Sequence, residues 1–426
     1  MQTRKKIRIK YQNIFCLCSF LFLVSLVILY SYRFFHYRAL ANPKSSTKTE
    51  VKTDLYHVIT SLTGNYYETL KKQEETYYFN GNEVSNYLYY SGNLWRIISL
   101  KEDKITLISN IPITSRTLNT TYSNSKIDKW LNEEYYGLLN KDFLIKTSTC
   151  INPLENEKDS CSNTYEQYIT LPSIYDYEQT GGSNSFMNNG YYMYFSNEGN
   201  NYYYMDSLGF IHEENTLLHF GIKPMITIQN KTILKGNGTK ESPFQIEEAK
   251  TNLKDVSVGN YIRYSGYTWR ILENTNAIKI ALQQTITTQE VIGDSYSKNS
   301  TIGSYLNGSF YNSLENKEYL LLGLWYTGNY DGEIEKIKEE ECISYIGLNQ
   351  IDDIYIHDVE NYVMINTPTL NEFVYVIKED GFLYKSDIHQ EYGIRPVLHI
   401  RNDLNVTGEG TKENPYEIVG EESEIK

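Results

Sequence analysis

Two pairs of basic residues recur in this 426-residue chain, each beside a rigid neighbour. Arg96 follows Trp95, and Arg270 follows Trp269. Lys223 stands between Gly221 and Pro224 as Arg395 stands between Gly393 and Pro396. As ligand contacts they would present charged donors. As core-edge residues they would pack their stems and pair their heads with a carboxylate. Both pairs lie inside apolar strands, which favours the second role.

Other chemistry is sparse. The chain carries no G-x-S-x-G, H-E-x-x-H, phosphate-binding loop or dinucleotide fingerprint. The histidines beyond residues 1–44 (His57, His212, His219, His357, His389 and His399) do not recur at matching places in the two halves, where a retained catalytic unit would. Carboxylates are plentiful, but an acid–base pair is defined by spacing in space. The weight falls against an enzyme. Residues 196–201 and 352–358 are oxygen-rich enough to raise calcium as a cofactor, yet neither fits a calcium-loop template. No other cofactor and no metal ligand set is expected. Cys150 and Cys161 flank a polar loop and predict a disulfide in an oxidising compartment. Cys342 has no partner, and a nucleophile served by His357 has no motif behind it.

The elements that must position these residues occur twice. NYLYYSGNLWRII (86–98) returns as NYIRYSGYTWRIL (260–272), and GIKPMITIQNKTILKGNGTKESPFQI (221–246) as GIRPVLHIRNDLNVTGEGTKENPYEI (393–418). Between them IDKWLNEEYYGLL (127–139) matches IGSYLNGSFYNSL (302–314), YITLPSIYD (168–176) matches YIGLNQIDD (345–353), and Gly209-Phe210 matches Gly381-Phe382. Five landmarks in one order mean duplication of a whole domain. Repeat 1 is expected over 79–248 and repeat 2 over 253–420, with 45–78 as a stalk that continues into a short helix. The Ser-Gly turns between Tyr- and Ile-rich runs predict hairpins. The stripe Ile127, Trp130, Leu131, Tyr135 and Leu138 predicts one helix per repeat, capped by the preceding polar run. The expected class is strand-rich α+β.

Charge is uneven. Residues 1–44 hold eight Lys and Arg and no acid, leaving 32 basic against 53 acidic side chains, a net of −21. That sign excludes a nucleic-acid partner for the body of the protein. Between Lys10 and Arg33, 22 residues carry no charge, and their core from Ile14 to Tyr30 is long enough to span a bilayer. Five basic residues precede it and three follow, which predicts a cytoplasmic N-terminus and a single-pass anchor in membrane lipid at 1–44. Ala39-Leu40-Ala41 resembles a signal-peptide site, but charges lie between it and the apolar run.

The combined motifs, NYxxYSGxxWRI, YLNxxFY, GIRP and GxGTxxxPYxI, resemble an uncharacterised tandem domain family of exported proteins from low-GC bacteria. The resemblance covers both repeats and implies no activity. A remoter similarity is to C-type-lectin-like folds, including the formylglycine-generating-enzyme type. The expected function is an extracellular surface protein whose duplicated domain binds a glycan, cell-wall or protein ligand, with the Tyr-rich 190–206 and 361–368 as candidate contact surfaces. The alternative is a structural or assembly component of the envelope. Oligomeric state and ligand are not specified by the sequence.

Overall fold

Each Tyr-Ser-Gly motif builds a tight hairpin. Tyr87–Tyr90 pairs with Asn93–Leu100, and Tyr261–Tyr264 with Tyr267–Asn274. At both tips the two central residues take positive φ, 49° and 74° at Ser91 and Gly92, 54° and 78° at Ser265 and Gly266. That geometry matches the right-handed twist of the flanking strands. Trp95 and Trp269 are fully buried, and each indole N–H donates to the carbonyl at the end of the partner strand, Tyr90 and Tyr264, at 2.9 Å. In both copies the longer strand bulges at the same place, after Ile97 and after Ile271.

The computed structural model describes residues 53–61, 69–118, 122–150, 164–196, 202–214, 219–290, 296–327, 340–351, 353–359, 362–363, 373–378, 380–387 and 389–419. It is a strand-rich α+β protein. In each repeat the hairpin belongs to an eight-stranded sheet that also takes in Lys104–Ser109 and Met225–Gln229, or Ile278–Leu282 and Pro396–Ile400. A five-stranded sheet stands beside it. Its order is Ile211–Glu214, Tyr202–Met205, Met193–Tyr194, His219–Ile222, Thr114–Thr117 in repeat 1. The same order recurs in repeat 2 as Leu383–Ser386, Val374–Ile377, Tyr362–Val363, Glu391–Ile394, Thr287–Glu290.

The expected helices are present but interrupted. Lys126–Trp130 is α-helical, Leu131–Tyr135 is a π turn and Tyr136–Leu138 completes the segment, and Thr301–Tyr305, Leu306–Phe310 and Tyr311–Ser313 repeat it. Ser125 and Ser300 cap them by accepting from Asp128 N (3.0 Å) and Gly303 N (3.2 Å). The wider turn shifts the phase by one residue. Leu139 is therefore buried, where the simple helical stripe expected Leu138.

The stalk expected over 45–78 differs from what is found. Leu55–Ser61 is a helix with Leu55 and Ile59 buried, and Leu70–Gln73 with Thr76–Phe79 forms an edge hairpin of the first sheet. Polar Lys, Gln and Glu residues there hid an edge strand whose outer face meets solvent. No helix among the described residues is long and apolar enough to cross a membrane. The segment from Ile14 to Tyr30 lies outside the described residues, as does Cys161 of the expected disulfide with Cys150.

Candidate functional site

The recurring basic residues meet in space. In repeat 2 the Arg270 guanidinium lies between two rings, 4.7 Å from the centroid of Tyr261 and 4.1 Å from that of Tyr355. Its Nη1 donates to Asp358 Oδ1 at 3.0 Å, and Arg395 Nη2 stands 3.9 Å from Asp358 Oδ2. Arg395 also donates to Leu282 O (2.7 Å) and to the Tyr355 carbonyl (3.3 Å). All three charged side chains are buried. The carboxylate and the flanking tyrosines raise the Arg270 pKa against the opposing effect of burial.

Repeat 1 builds the same sandwich with different charges. The Arg96 guanidinium lies 3.9 Å from the centroid of Tyr87 and 4.7 Å from that of Phe186. The strands that follow have matching register: Met193 pairs with Gly221 as Tyr362 pairs with Gly393. Counting back from those pairs sets Phe186 in the place of Tyr355 and Asn189 in the place of Asp358. Lys223 Nζ lies 3.3 Å from Asn189 Oδ1 and 3.4 Å from the Met187 carbonyl. Among the described residues no carboxylate charge acts on Arg96 or Lys223. Burial draws the Arg96 pKa down to about 10, and burial followed by Arg96 itself draws Lys223 down to about 7.

The repeats are joined through this region. Arg270 Nη2 donates to Asn93 Oδ1 of repeat 1 at 3.1 Å, and Arg116 Nη1 to the Ile351 carbonyl of repeat 2 at 2.7 Å. Arg116 is fully buried, 5.6 Å from the centroid of Trp130. His357 packs edge-on to Tyr191, and burial pushes its pKa down to about 3, so it is neutral near pH 7. Tyr89 Oη donates to the Gly410 carbonyl at 2.6 Å. A small cleft opens at this junction, lined by Tyr89, Glu247, Lys250, Asn260, Glu409 and Tyr416. Two of its carboxylates are engaged: Glu247 accepts from Ser91 N and Asn140 Nδ2, and Glu409 pairs with Lys235.

The other sequence candidates separate. Gly221, Pro224, Gly393 and Pro396 set the strand ends that carry Lys223 and Arg395. In the oxygen-rich stretch 352–358, Asp353 is ion-paired with Lys279 and Asp358 with Arg270, so both carboxylates face cations. Its counterpart lies outside the described residues from Asn197 to Asn201. Cys342 is a free, half-buried thiol paired in register with Trp325, where repeat 1 has Tyr165 opposite Thr149. It thus occupies the place of Tyr165. Of the Tyr-rich stretch 190–206, Met193, Tyr194, Tyr202 and Met205 are buried strand residues.

Two features escaped sequence reading. Asp358 and Asn189 lack a shared motif, because the chain between the landmarks differs in length. The leucine–asparagine pairs Leu131-Asn132 and Leu306-Asn307 were visible, and their asparagines clamp a strand backbone. Asn132 bonds Ile169 N and O at 3.1 and 2.9 Å, and Asn307 bonds Ile346 N and O at the same distances. Compared with protein-family models, curated proteins and solved structures, the chain matches none.

Proposed function

We propose that this is a membrane-anchored extracellular binding protein, whose duplicated domain is displayed outside the cell as one fused recognition unit. One observation carries the binding role. On the hairpin Gly323–Thr327 with Glu340–Ser344, Leu324 and Ile343 are cross-strand partners, 42 % and 64 % exposed, and the preceding Leu322 is 61 % exposed. The register partners at that place in repeat 1 are Ser148 and Glu166, both exposed. The scaffold therefore does not require apolar residues there, and clustered exposed apolar side chains mark interaction surfaces. Leu208 and Phe210, at the tip of another hairpin, add a second such point.

The uncharged run from Ile14 to Tyr30, the basic residues before it and the resemblance to exported tandem domains support the location. The partner is a glycan, a wall polymer or a protein with an apolar face. The test is binding of the purified full chain to arrays of glycans, wall fragments and surface proteins. The double substitution Leu324→Ser with Ile343→Ser should abolish capture and leave the unfolding temperature unchanged, since both side chains face solvent. Equal capture by the variant would remove the hairpin from the reading. Resistance of the body of the protein to protease added to intact cells would remove the location.

A further inference from the structure

We propose that repeat 1 contains a carboxylate-binding site at Arg96 and Lys223, in which an anionic ligand takes the place that Asp358 fills in repeat 2. The two repeats supply each other's control. In both, an arginine guanidinium lies over two aromatic rings, and the cation of the Gly-Ile-Lys/Arg-Pro strand shares its surroundings: Lys223 feels the charge of Arg96, and Arg395 and Arg270 both reach Asp358. In repeat 2 the two buried cations share one carboxylate, at 3.0 and 3.9 Å. In repeat 1 the register position of that carboxylate holds Asn189, a neutral acceptor with one long contact to Lys223. Arg96 donates only to neutral acceptors, Asn86 Oδ1 and the Val84 carbonyl. A buried guanidinium without a counter-charge is costly, and a ligand that brings a carboxylate removes the deficit and favours the charged form of Lys223. A guanidinium beside an ammonium suits a carboxylate's paired oxygens.

The site lies close to solvent. Arg96 and Lys223 are 5 % and 1 % exposed, but the turn that covers them is open: Asn188 and Asn189 are half-buried and Gly190 is exposed. Asn189 is held in place by its own amide, which donates to the Asn110 carbonyl, so its oxygen faces Lys223. The site is separate from the apolar hairpin of repeat 2, and it stands whether or not that hairpin binds a partner.

The test titrates acetate into the full-length protein, with chloride at matched ionic strength as the control, read by calorimetry and thermal unfolding. Acetate should bind saturably and raise the unfolding temperature, and chloride should do neither. Asn189→Asp restores the carboxylate of repeat 2. It should raise the unfolding temperature without ligand and weaken acetate binding by at least about tenfold. Lys223→Met should weaken binding likewise, and if it fails to fold, Asn189→Asp decides alone. An equal response to acetate in wild type and Asn189→Asp, no response in the wild type, or chloride acting as acetate does, would each overturn the site.

Discussion

At the scale of single residues, the buried charges decide more than their number suggests. Asp358 neutralises Arg270 and stands within ion-pair distance of Arg395, and all three are buried. Removing one partner of a buried pair leaves the other without water or counter-charge. Asp358→Asn should therefore cost about 3–5 kcal/mol of stability, measured by urea unfolding. Lys223 gives the opposite case. Its pKa falls from 10.5 in the unfolded chain to about 7 in the folded one, through burial first and Arg96 second. Between those values the unfolded chain binds more protons, so stability rises with pH across that window, by at most about 1.4 kcal/mol per unit. Below about pH 7 the contribution is lost, because folding must then bury a charged ammonium. Denaturant titrations from neutral to alkaline pH in acetate-free buffer should show this slope in the wild type and a flatter one in Lys223→Met.

At the scale of elements, the helix of each repeat is held at its π turn by an asparagine. Asn132 and Asn307 lie at matching places and satisfy one N–H and one C=O of a neighbouring strand, at Ile169 and Ile346. An alanine there strands two buried backbone groups, each costing about 1–3 kcal/mol. Asn132→Ala and Asn307→Ala should lower stability by similar amounts, and unequal losses would show that the clamp is not equivalent. The Leu-Asn pairs thus serve the scaffold, as do Trp95 and Trp269, whose N–H groups close their own hairpins.

At the scale of the whole molecule, the repeats join by unlike surfaces. The hairpin tip of repeat 1 is covered: a Cβ at Gly92 would sit 2.5 Å from the Val258 carbonyl oxygen and 2.8 Å from Asn260 N. The matching Gly266 has nothing within 4 Å. The reverse holds for the Gly-Phe tips. Phe382 packs into repeat 1 with its ring 4.4 Å from that of Tyr192, while Phe210 is 57 % exposed. Such a heterologous join explains why one scaffold carries two sets of surface residues. Gly92→Ala and Gly266→Ala share the strain of a positive φ, but only Gly92→Ala must push the repeats apart. Its unfolding temperature should fall further, and equal losses would contradict the join.

The sequence by itself determined the duplication, the strand-rich α+β class, the hairpins, the helix and the recurrence of Arg96 with Arg270 and Lys223 with Arg395. These follow from local pattern: turn residues, alternation and the spacing of apolar side chains act within a few residues. The role it named, pairing with a carboxylate, is found for Arg270 and Arg395 but not for Arg96 and Lys223, and it did not name the carboxylate. Asp358 lies 88 residues from Arg270, and repeats of unequal length hide its counterpart Asn189. Only the tertiary structure aligns the two: each stands four residues before a strand of matching register and reaches the cation of the Gly-Ile-Lys/Arg-Pro strand. The edge hairpin over 70–79, the phase shift that buries Leu139, the place of Cys342 and the covering of Gly92 were likewise decided by tertiary structure. Each depends on what a distant segment presents to it.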